Sequence, residues 1–184
     1  MAKVKGAAIR GVLKYVKSSG LAGGIGSVVA ALPVEARTAF EAPILVSHWY
    51  PYQAFAALLE ELDRRLEHEK DLFHQYGRWS ARQDAGTIFR LVSVFASVER
   101  LLPMSTLFWS RHCDSGRFET TQVQKGGGVG LLRGFPEIHP LHCRLLTGWI
   151  EGMVTVVGAG EVHVQHTRCV HRGDELCEFS GTWR

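Results

Sequence analysis

The sequence predicts an α+β fold, in which helices that fill the N-terminal two-thirds pack on an antiparallel sheet. Up to about residue 115, apolar residues recur mostly at helical spacing. After Ser115, the segments "RFETTQVQ", "VGLLRGF", "EVHVQHTRCV" and "ELCEFSGTWR" have the pattern of short strands. Residues 138–157, between the second and third of these segments, return to helical spacing. This order predicts one long helix between two C-terminal β-hairpins.

Length and composition favour a single domain over residues 1–184, with a helical arm over 1–40 and the sheet, long helix and closing hairpin over 115–184. Hydrophobic residues make up 46% and charged residues 21%, which is enough for a substantial core. The net charge is +3, and basic residues are mixed with acids in "EELDRRLEHEKD", so we expect no nucleic-acid partner. No segment approaches the roughly 20 apolar residues of a membrane span. We therefore expect a cytoplasmic protein, whose four cysteines are reduced thiols or metal ligands and not disulfides.

Each helix of the first part is predicted from an apolar stripe or from the residues that end it. An amphipathic first helix covers residues 3–17, and a short helix near 27–32 ends at Pro33. "APILVSHWYP" is a brief apolar segment closed by Pro51. The clearest helix covers 52–68, with a buried stripe of Phe55, Leu58, Leu59, Leu62 and Leu66. Further helices are predicted in "LFHQYGRWSARQDA", "TIFRLVSVFASVERLL" and "MSTLFWSRHC".

Glycines mark the turns of the C-terminal part. The glycines at 126–128 connect the strands of the first hairpin, and Gly158 and Gly160 end the long helix. Lys125 precedes the glycine run, but the Gly-Lys-Ser/Thr ending of a phosphate-binding loop is missing, so we interpret this segment as a turn. The closing hairpin is predicted to turn around Gly173.

The segment "CVHRGDELCEF" (169–179) places two cysteines across that predicted turn. If the turn is centred on Gly173, Cys169 and Cys177 are cross-strand partners, with Cβ atoms about 4.5–5.5 Å apart. This separation suits two ligands of a tetrahedral metal, and a separation nearer about 3.8 Å suits a disulfide. The spacing permits both, and a reducing compartment favours the metal. Further soft ligands available nearby are Cys143, His163, His166 and His171.

The stretch "LHCRLLTGWIEGMVTVVGAGEVHVQHTRCVHRGDELCEF" resembles the V4R (4-vinyl reductase) domain, the ligand-sensing part of bacterial regulators that respond to phenols and other aromatics. The matching features are a cysteine followed by "TGWIEG", a helix ended by glycine, and "TRCVHRGDELCEF". The resemblance covers about residues 138–180, and the rest of the chain matches in the order of its elements. It implies a fold shared with haem-based nitric-oxide sensors and with TRAPP-type vesicle-tethering subunits.

The resemblance also implies a structural zinc site. In the aromatic-sensing relatives, the ligands are a cysteine on the helix before the last hairpin, the two hairpin cysteines, and an acidic residue three positions before the first of these. The corresponding positions here are Cys143, Cys169 and Cys177, with His166 in place of the acid. Cys₃His is an ordinary structural zinc set. A regular strand would place His166 and Cys169 on opposite faces, so this assignment requires a bulge or turn between them. Otherwise His163 or His171 supplies the fourth ligand.

Other groups give weaker expectations. Cys113 has no partner in this scheme and is expected to be a packed free thiol. We recognise no motif for an axial histidine, so we expect zinc and do not expect haem. No nucleophile elbow or paired carboxylates stand out, so we do not expect an enzyme. Most aromatic residues on the apolar helices are expected in the core, and the ligand-pocket candidates are Trp109, His112, Phe108 and Phe95.

These observations favour a free-standing sensor or adaptor that binds a hydrophobic ligand, aromatic or acyl, and signals through an unidentified output protein. A homodimer is expected from the dimeric relatives and from the first helix, whose apolar, lysine-rimmed face would pack on a second copy. The alternative is a non-catalytic interaction or scaffolding subunit that acts by dimerisation and docking. A second alternative, suggested by the family name, is a tetrapyrrole-related accessory protein or reductase.

Overall fold

The structure, a computed structural model, describes residues 1–17, 19, 21, 23–92 and 97–184, with side chains described throughout except at 85–92. Its helices and antiparallel strands confirm the α+β class. The helices are α1 (Gly6–Val16), α2 (Gly24–Ala31), α3 (Val34–Arg37), α4 (Tyr52–Arg65), α5 (Leu72–Val92), α6 (Val98–Leu101), α7 (Ser105–His112) and α8 (Pro140–Val156). The strands are β1 (Lys3–Lys5), β2 (Trp49–Pro51), β3 (Arg117–Gln124), β4 (Gly127–Arg133), β5 (His163–Arg168) and β6 (Cys177–Thr182). Short 3-10 helices occupy Thr38–Phe40, Leu102–Met104 and Val170–Arg172.

The chain divides into two compact units. The first comprises Met1–Leu72 together with Arg111–Ser115, and the second comprises Phe73–Ser110 together with Gly116–Arg184. Residues 1–40, which the sequence suggested as an arm, belong to the first unit. Among the described residues, no helix has both the length and the apolar character needed to cross a membrane.

Helix α4 and Leu66, the residue that follows it, carry the predicted apolar stripe of the first unit. The stripe residues Phe55, Leu58, Leu59, Leu62 and Leu66 are all buried, as predicted. Near its C-terminal end, the Arg65 guanidinium donates to the hydroxyl of Ser27 on α2 at 2.8 Å and to the Ser27 carbonyl at 3.0 Å. Hydrogen bonds from Arg64 and Arg65 lower the pKa of Glu61 to about 2. Apolar burial and the hydrogen bonds from Arg65 to Ser27 together join α4 to α2.

The N-terminus is a strand followed by a helix, which corrects the prediction of one helix over residues 3–17. Strand β1 pairs antiparallel with β2, and Val4 is fully buried between two lysines that are more exposed. This period-two pattern suits a strand. Helix α1 then begins at Gly6, whose amide donates to the carbonyl of His48 at 2.9 Å. The adjacent loop therefore satisfies one of the free amides at the start of the helix.

The apolar face of α1 is buried inside the chain. Ile9 and Val12 are 0% exposed and Val16 is 1% exposed. The sequence analysis assigned this face to a contact with a second copy, and that reasoning is wrong because the face is already covered. The exposed residues of the helix include Arg10 and Lys14, which do not form an apolar surface.

A four-stranded antiparallel sheet with the order β3-β4-β6-β5 is the framework of the second unit. The predicted hairpin of β3 and β4 is present, and β6 pairs with β4 so that Phe179 lies opposite Gly130. Along β6, side chains alternate between the two faces: Cys177, Phe179 and Gly181 are buried and the residues between them are more exposed. Helix α8 lies against β5 and β6. The sheet thus has one covered face, as an antiparallel sheet commonly has.

Helices α5 and α8 approach each other closely at a glycine. A Cβ atom at Gly148 of α8 would lie 2.0 Å from the carbonyl oxygen of His74 on α5. Beside this contact, His74 Nε2 lies 3.1 Å from one carboxylate oxygen of Glu151. The other oxygen accepts a 3.1 Å hydrogen bond from the amide of Val164 on β5. Glu151 therefore connects α5, α8 and β5.

Helix α5 is one helix where the sequence predicted two. The two predicted segments are separated by Gly86, but the helix continues through it to Val92. A single glycine inside a helix costs only about 1 kcal/mol, so it does not break a long helix. Residues 93–96, which include the predicted pocket residue Phe95, lie outside the described residues.

Candidate metal centre and adjoining cavity

A bulge in β5 brings His166 to the side of the sheet on which the cysteines lie. In the ladder between β5 and β6, His166 lies opposite Phe179 and Arg168 lies opposite Glu178, so β5 has one extra residue between these pairs. One extra residue reverses the side to which the following residues point. His166 and Cys169 can therefore face the same side although they are three residues apart. This is the irregularity that the assignment of His166 required.

Cys169 begins the turn that follows β5. The ladder ends before it, and Cys177 pairs with a residue of β4, so the two cysteines are not the direct cross-strand pair that the sequence suggested. The reason is the 3-10 turn over Val170–Arg172, which is followed by Gly173 with φ 87°, a left-handed conformation that favours glycine. The Asp174 carboxylate accepts a 2.7 Å hydrogen bond from the Cys169 amide, and this bond lowers the pKa of Asp174. The turn thus fixes the backbone at Cys169.

Cys143 lies in the first turn of α8. His139 caps this helix with its side chain, and its carbonyl accepts a 3.1 Å hydrogen bond from the Cys143 amide. Ile138, the residue before His139, accepts a hydrogen bond through its carbonyl from a ring nitrogen of His171 in the hairpin turn. The start of α8 and the hairpin turn are therefore held together independently of any metal.

The four candidate ligands converge. One ligand atom from each of Cys143, His166, Cys169 and Cys177 lies within 4.8 Å of all the others. The Sγ of Cys177 is 3.9 Å from each of the other two sulfurs. Two sulfurs bound at about 2.3 Å to one tetrahedral zinc ion are about 3.8 Å apart, whereas disulfide sulfurs are about 2.0 Å apart. The sulfur positions therefore fit a shared metal, and all three cysteines are free.

The histidine of this cluster has an unsatisfied nitrogen. Nε2 of His166 is buried and has no hydrogen-bond partner among the described residues. Buried polar side-chain atoms nearly always have a partner, so an orphaned imidazole nitrogen beside three buried thiols calls for an explanation. A metal ion held by all four side chains would supply one. The residues present fit a tetrahedral Cys₃His set.

The cluster favours negative charge on one sulfur. A hydrogen bond from the Cys143 thiol lowers the pKa of Cys177, and His166 contributes in the same direction. The same sulfur contact raises the pKa of Cys143, and burial raises that of Cys169. A proton kept on Cys143 therefore stabilises negative charge on Cys177. A divalent cation would replace the thiol protons and stabilise the thiolates together.

The two other candidate histidines lie elsewhere. His163 is exposed at the far end of β5, opposite Thr182. His171 is hydrogen-bonded to the carbonyl of Ile138. Cys113 belongs to the first unit, where it is buried and free, and burial raises its pKa.

An apolar cavity lies on the covered face of the sheet, within the second unit. It measures about 570 Å³ including its open mouth. Helix α8 contributes Trp149 and Met153 to the lining, and β6 contributes Phe179 and Gly181. Apart from two hydroxyl-bearing side chains, the lining residues that the structure describes are apolar residues and glycines. Because the volume includes the mouth, the enclosed part of the cavity is smaller than this figure.

The four pocket residues that the sequence suggested do not lie together in the structure. Phe108 lines the cavity, Trp109 and His112 are not among the lining residues, and Phe95 lies outside the described residues. Trp109 instead stacks on His142, with ring centroids 5.7 Å apart. Neighbouring residues of a helix point in different directions, so Phe108 and Trp109 do not share surroundings.

Sequence reasoning missed the cavity residues of α8 and β6. Trp149 and Met153 are one helical turn apart, and Phe179 follows Cys177 on the same face of β6. Both spacings were readable, and the second indicates that the strand carrying a metal ligand also lines the pocket. Ser105 gave no such signal, because a lone serine in a helix is most simply interpreted as a solvent contact.

No family model and no curated protein matches the sequence, so the V4R resemblance remains a prediction. Solved structures of H-NOX proteins do match. The protein from K. algicida in its Fe(II) unliganded state has 10% identity and a TM-score of 0.73, covering 98% of this chain and 96% of that one. The protein from S. oneidensis in its Fe(II)NO state has 13% identity and a TM-score of 0.67, covering 98% of this chain and 99% of that one. An oxygen-binding H-NOX domain related to soluble guanylate cyclases, in its oxygen complex, has 12% identity and a TM-score of 0.65, covering 98% of this chain and 95% of that one. At these identities the likeness shows the fold, which is that of the haem-based sensors.

This likeness corrects the expectation about haem. The structures that share the fold are haem-based domains, so the lack of a recognisable motif is no argument against haem in this chain. Side chains that commonly ligate haem iron are His, Cys, Met and Tyr. The described cavity lining offers Met153 and no His, Cys or Tyr, so it does not fit a haem held by an axial histidine there.

Proposed function

We propose that the chain is a non-catalytic small-molecule sensor. Cys143, His166, Cys169 and Cys177 hold one structural zinc ion, and the adjoining cavity binds a small hydrophobic ligand, aromatic or acyl. The observation that carries the proposal is the convergence of four soft ligand atoms within 4.8 Å beside an apolar cavity. The likeness to H-NOX structures captured with nitric oxide or oxygen supports a sensing role. The signal passes to a separate output protein.

The zinc ion has a structural role in this proposal. Four protein ligands leave no open coordination position for water or substrate. The ligands come from α8, from β5 and the turn after it, and from β6, so the ion joins these three segments. Its binding free energy therefore contributes to folding.

Elemental analysis of protein purified without chelator tests the metal site, and we expect one zinc ion per chain. Replacing one of the four ligands should weaken zinc binding and destabilise the fold. For Cys177→Ser we expect loss of stoichiometric zinc and a Tm lower by about 10 °C, because several kcal/mol of binding free energy is lost. Cys113→Ser is the matched control, since it also removes a buried free thiol but lies outside the cluster. It should keep one zinc ion. Wild-type protein with far less than one zinc ion per chain contradicts the proposal.

Native mass spectrometry and the absorption spectrum of freshly purified protein test the ligand. We expect a co-purifying hydrophobic molecule, or saturable binding of single-ring aromatics. A Soret band that corresponds to one haem per chain would instead identify haem as the bound group and overturn the proposal of a small apolar ligand.

A second candidate function is an interaction subunit that acts by dimerisation. It is favoured by an exposed apolar loop before β2 in the first unit, where Leu45 is 50% and Val46 51% exposed, and by Trp49 at the start of β2, which is 39% exposed. Backbone hydrogen bonds from Gly6 and Ala7 to this loop hold it in place. Exposed apolar clusters of this kind commonly mark interaction sites.

A further inference from the structure

The proposed metal centre and the cavity share one face of strand β6. Cys177, Phe179 and Gly181 are two residues apart and point to the same covered face. Cys177 belongs to the cluster, whereas Phe179 and Gly181 line the cavity. The two sites are therefore neighbours on one strand, with Phe179 next to both.

Phe179 also contacts the histidine of the cluster. It lies directly opposite His166 in the ladder, and the two rings stack with centroids 4.6 Å apart and planes inclined by 7°. The Phe179 ring also packs against Phe118, another cavity residue, at 5.9 Å between centroids. One phenyl ring is thus placed between the imidazole of the cluster and the space that a ligand would fill.

The orientation of the imidazole depends on few contacts. Nε2 of His166 has no hydrogen-bond partner among the described residues, and the contacts seen for the imidazole are the stack on Phe179 and the side-chain contact with Cys177. A metal ion bound to the imidazole would fix its plane, and close packing would then restrict the phenyl ring. A ligand that needs the phenyl ring in place would in turn favour the metal-binding orientation of His166.

We propose that the stacked pair of Phe179 and His166 couples zinc binding to ligand binding. Zinc holds the phenyl ring in the position that forms the cavity wall, so the zinc-loaded protein binds a cavity ligand more tightly than the metal-free protein. Because such coupling is reciprocal, a cavity ligand raises zinc affinity by the same factor. This inference rests on the proposed function and adds a regulatory link between its two sites.

The coupling is measured with toluene as the cavity probe. Its Kd is determined by calorimetry on zinc-loaded protein and on protein stripped with a chelator. We expect toluene to bind the zinc-loaded form at least about five-fold more tightly, the lower end of typical coupling factors. Saturating toluene should raise zinc affinity, measured by chelator competition, by the same factor.

Three variants test whether the stacked pair of Phe179 and His166 transmits the coupling. Phe179→Leu removes the stack but keeps an apolar wall, so the two toluene Kd values should become equal. His166→Cys keeps a four-ligand zinc set while removing the imidazole, and it should also abolish the coupling. Phe118→Leu is the matched control, because it makes the same change in another cavity residue that packs on Phe179. It should weaken toluene binding equally in both metal states and keep the factor.

Each outcome has a distinct meaning. Equal toluene affinity with and without zinc in the wild type overturns the coupling while leaving the sensor proposal in place. A coupling factor that is unchanged in both Phe179→Leu and His166→Cys overturns the role of the stacked pair in the coupling. Wild-type protein that binds no zinc or no toluene overturns the coupling together with the corresponding part of the proposed function.

Discussion

At the scale of the residue, the cavity has a polar group whose hydrogen-bonding role can be assigned. Thr120 and Ser105 both line the cavity, and their hydroxyl oxygens are 3.3 Å apart. Thr120 donates its single proton to the carbonyl of Leu102 at 2.5 Å. Ser105 must therefore supply the proton of the contact with Thr120, which leaves the Ser105 oxygen as an acceptor. The cavity thus favours a ligand that combines an apolar body with one hydrogen-bond donor.

Ser105→Ala tests this assignment. The variant should weaken binding of p-cresol by about 2- to 10-fold, the range of a typical net hydrogen bond, and leave toluene affinity unchanged. Thr106→Ala is the matched control, because Thr106 is adjacent in sequence but its hydroxyl is bonded to the carbonyl of Phe118 and it does not line the cavity. Calorimetry with both probes gives the ratio. An unchanged ratio of p-cresol to toluene affinity in Ser105→Ala would show that the serine does not accept from the ligand.

The same scale shows what the sequence can reveal about a site. Cys143, Cys169 and Cys177 could be grouped because cysteine is rare and because the resemblance supplied the spacing. His166 could be assigned only on condition of an irregular strand, since strand periodicity alone points it away from Cys169. The role of Phe179 depends on which residue lies opposite it, and that register is set by the bulge in β5. No local pattern predicts it.

At the scale of the element, the contact between α5 and α8 decides where the cavity residues of α8 lie. Gly148 lets the two backbones approach, and the next residue, Trp149, lines the cavity while its indole donates to Asp84 of α5 at 2.9 Å. Helices with a clear apolar stripe, such as α4 and α8, were predictable from apolar spacing, whereas strand β1 was not. Its three residues follow helical and strand patterns equally well, and pairing with β2 decides between them.

Gly148→Ala should destabilise the protein. The added Cβ would lie 2.0 Å from a backbone carbonyl oxygen of α5, so one helix must shift. Overpacking against backbone outweighs the roughly 1 kcal/mol gain in helix propensity, and we expect a net loss of about 2 to 4 kcal/mol. Gly26→Ala is the matched control, because Gly26 is also helical but a Cβ there meets no atom within 4 Å. It should be neutral or stabilising by up to about 1 kcal/mol in urea unfolding. Equal effects of the two substitutions would contradict a close helix contact at Gly148.

At the scale of the whole molecule, the fold class follows from the order of helical and strand patterns, but the identity of a bound group does not. A chain at 10–13% identity to H-NOX proteins keeps their fold while its described cavity lining lacks a histidine. Burial and alternation specify the fold through many interchangeable apolar residues, whereas one residue can decide which cofactor is held. The absence of a recognisable local motif was therefore not a sound basis for the expectation that haem is absent.

Assembly is the remaining property at this scale, and we expect a homodimer at micromolar concentration. We place its interface on the apolar loop with Leu45 and Val46, which are exposed, and not on the apolar face of α1, which is internal. Sedimentation should show that Leu45→Ser combined with Val46→Ser gives a folded monomer. Val34→Ser, which changes an apolar residue of α3 with 59% exposure, should remain dimeric. A monomeric wild type contradicts the dimer.

Deleting residues 1–17 distinguishes a structural helix from an assembly device. The deletion removes Ile9, Val12 and Val16, each at most 1% exposed, together with β1, the pairing partner of β2. Burying one such aliphatic side chain contributes roughly 1.5 to 3 kcal/mol, so the loss of several rivals the whole stability of a typical domain. We therefore expect the truncated chain to lose helical circular dichroism and to become sensitive to protease. If it is instead a folded, protease-resistant monomer, α1 is an assembly element and its burial contributes little to folding.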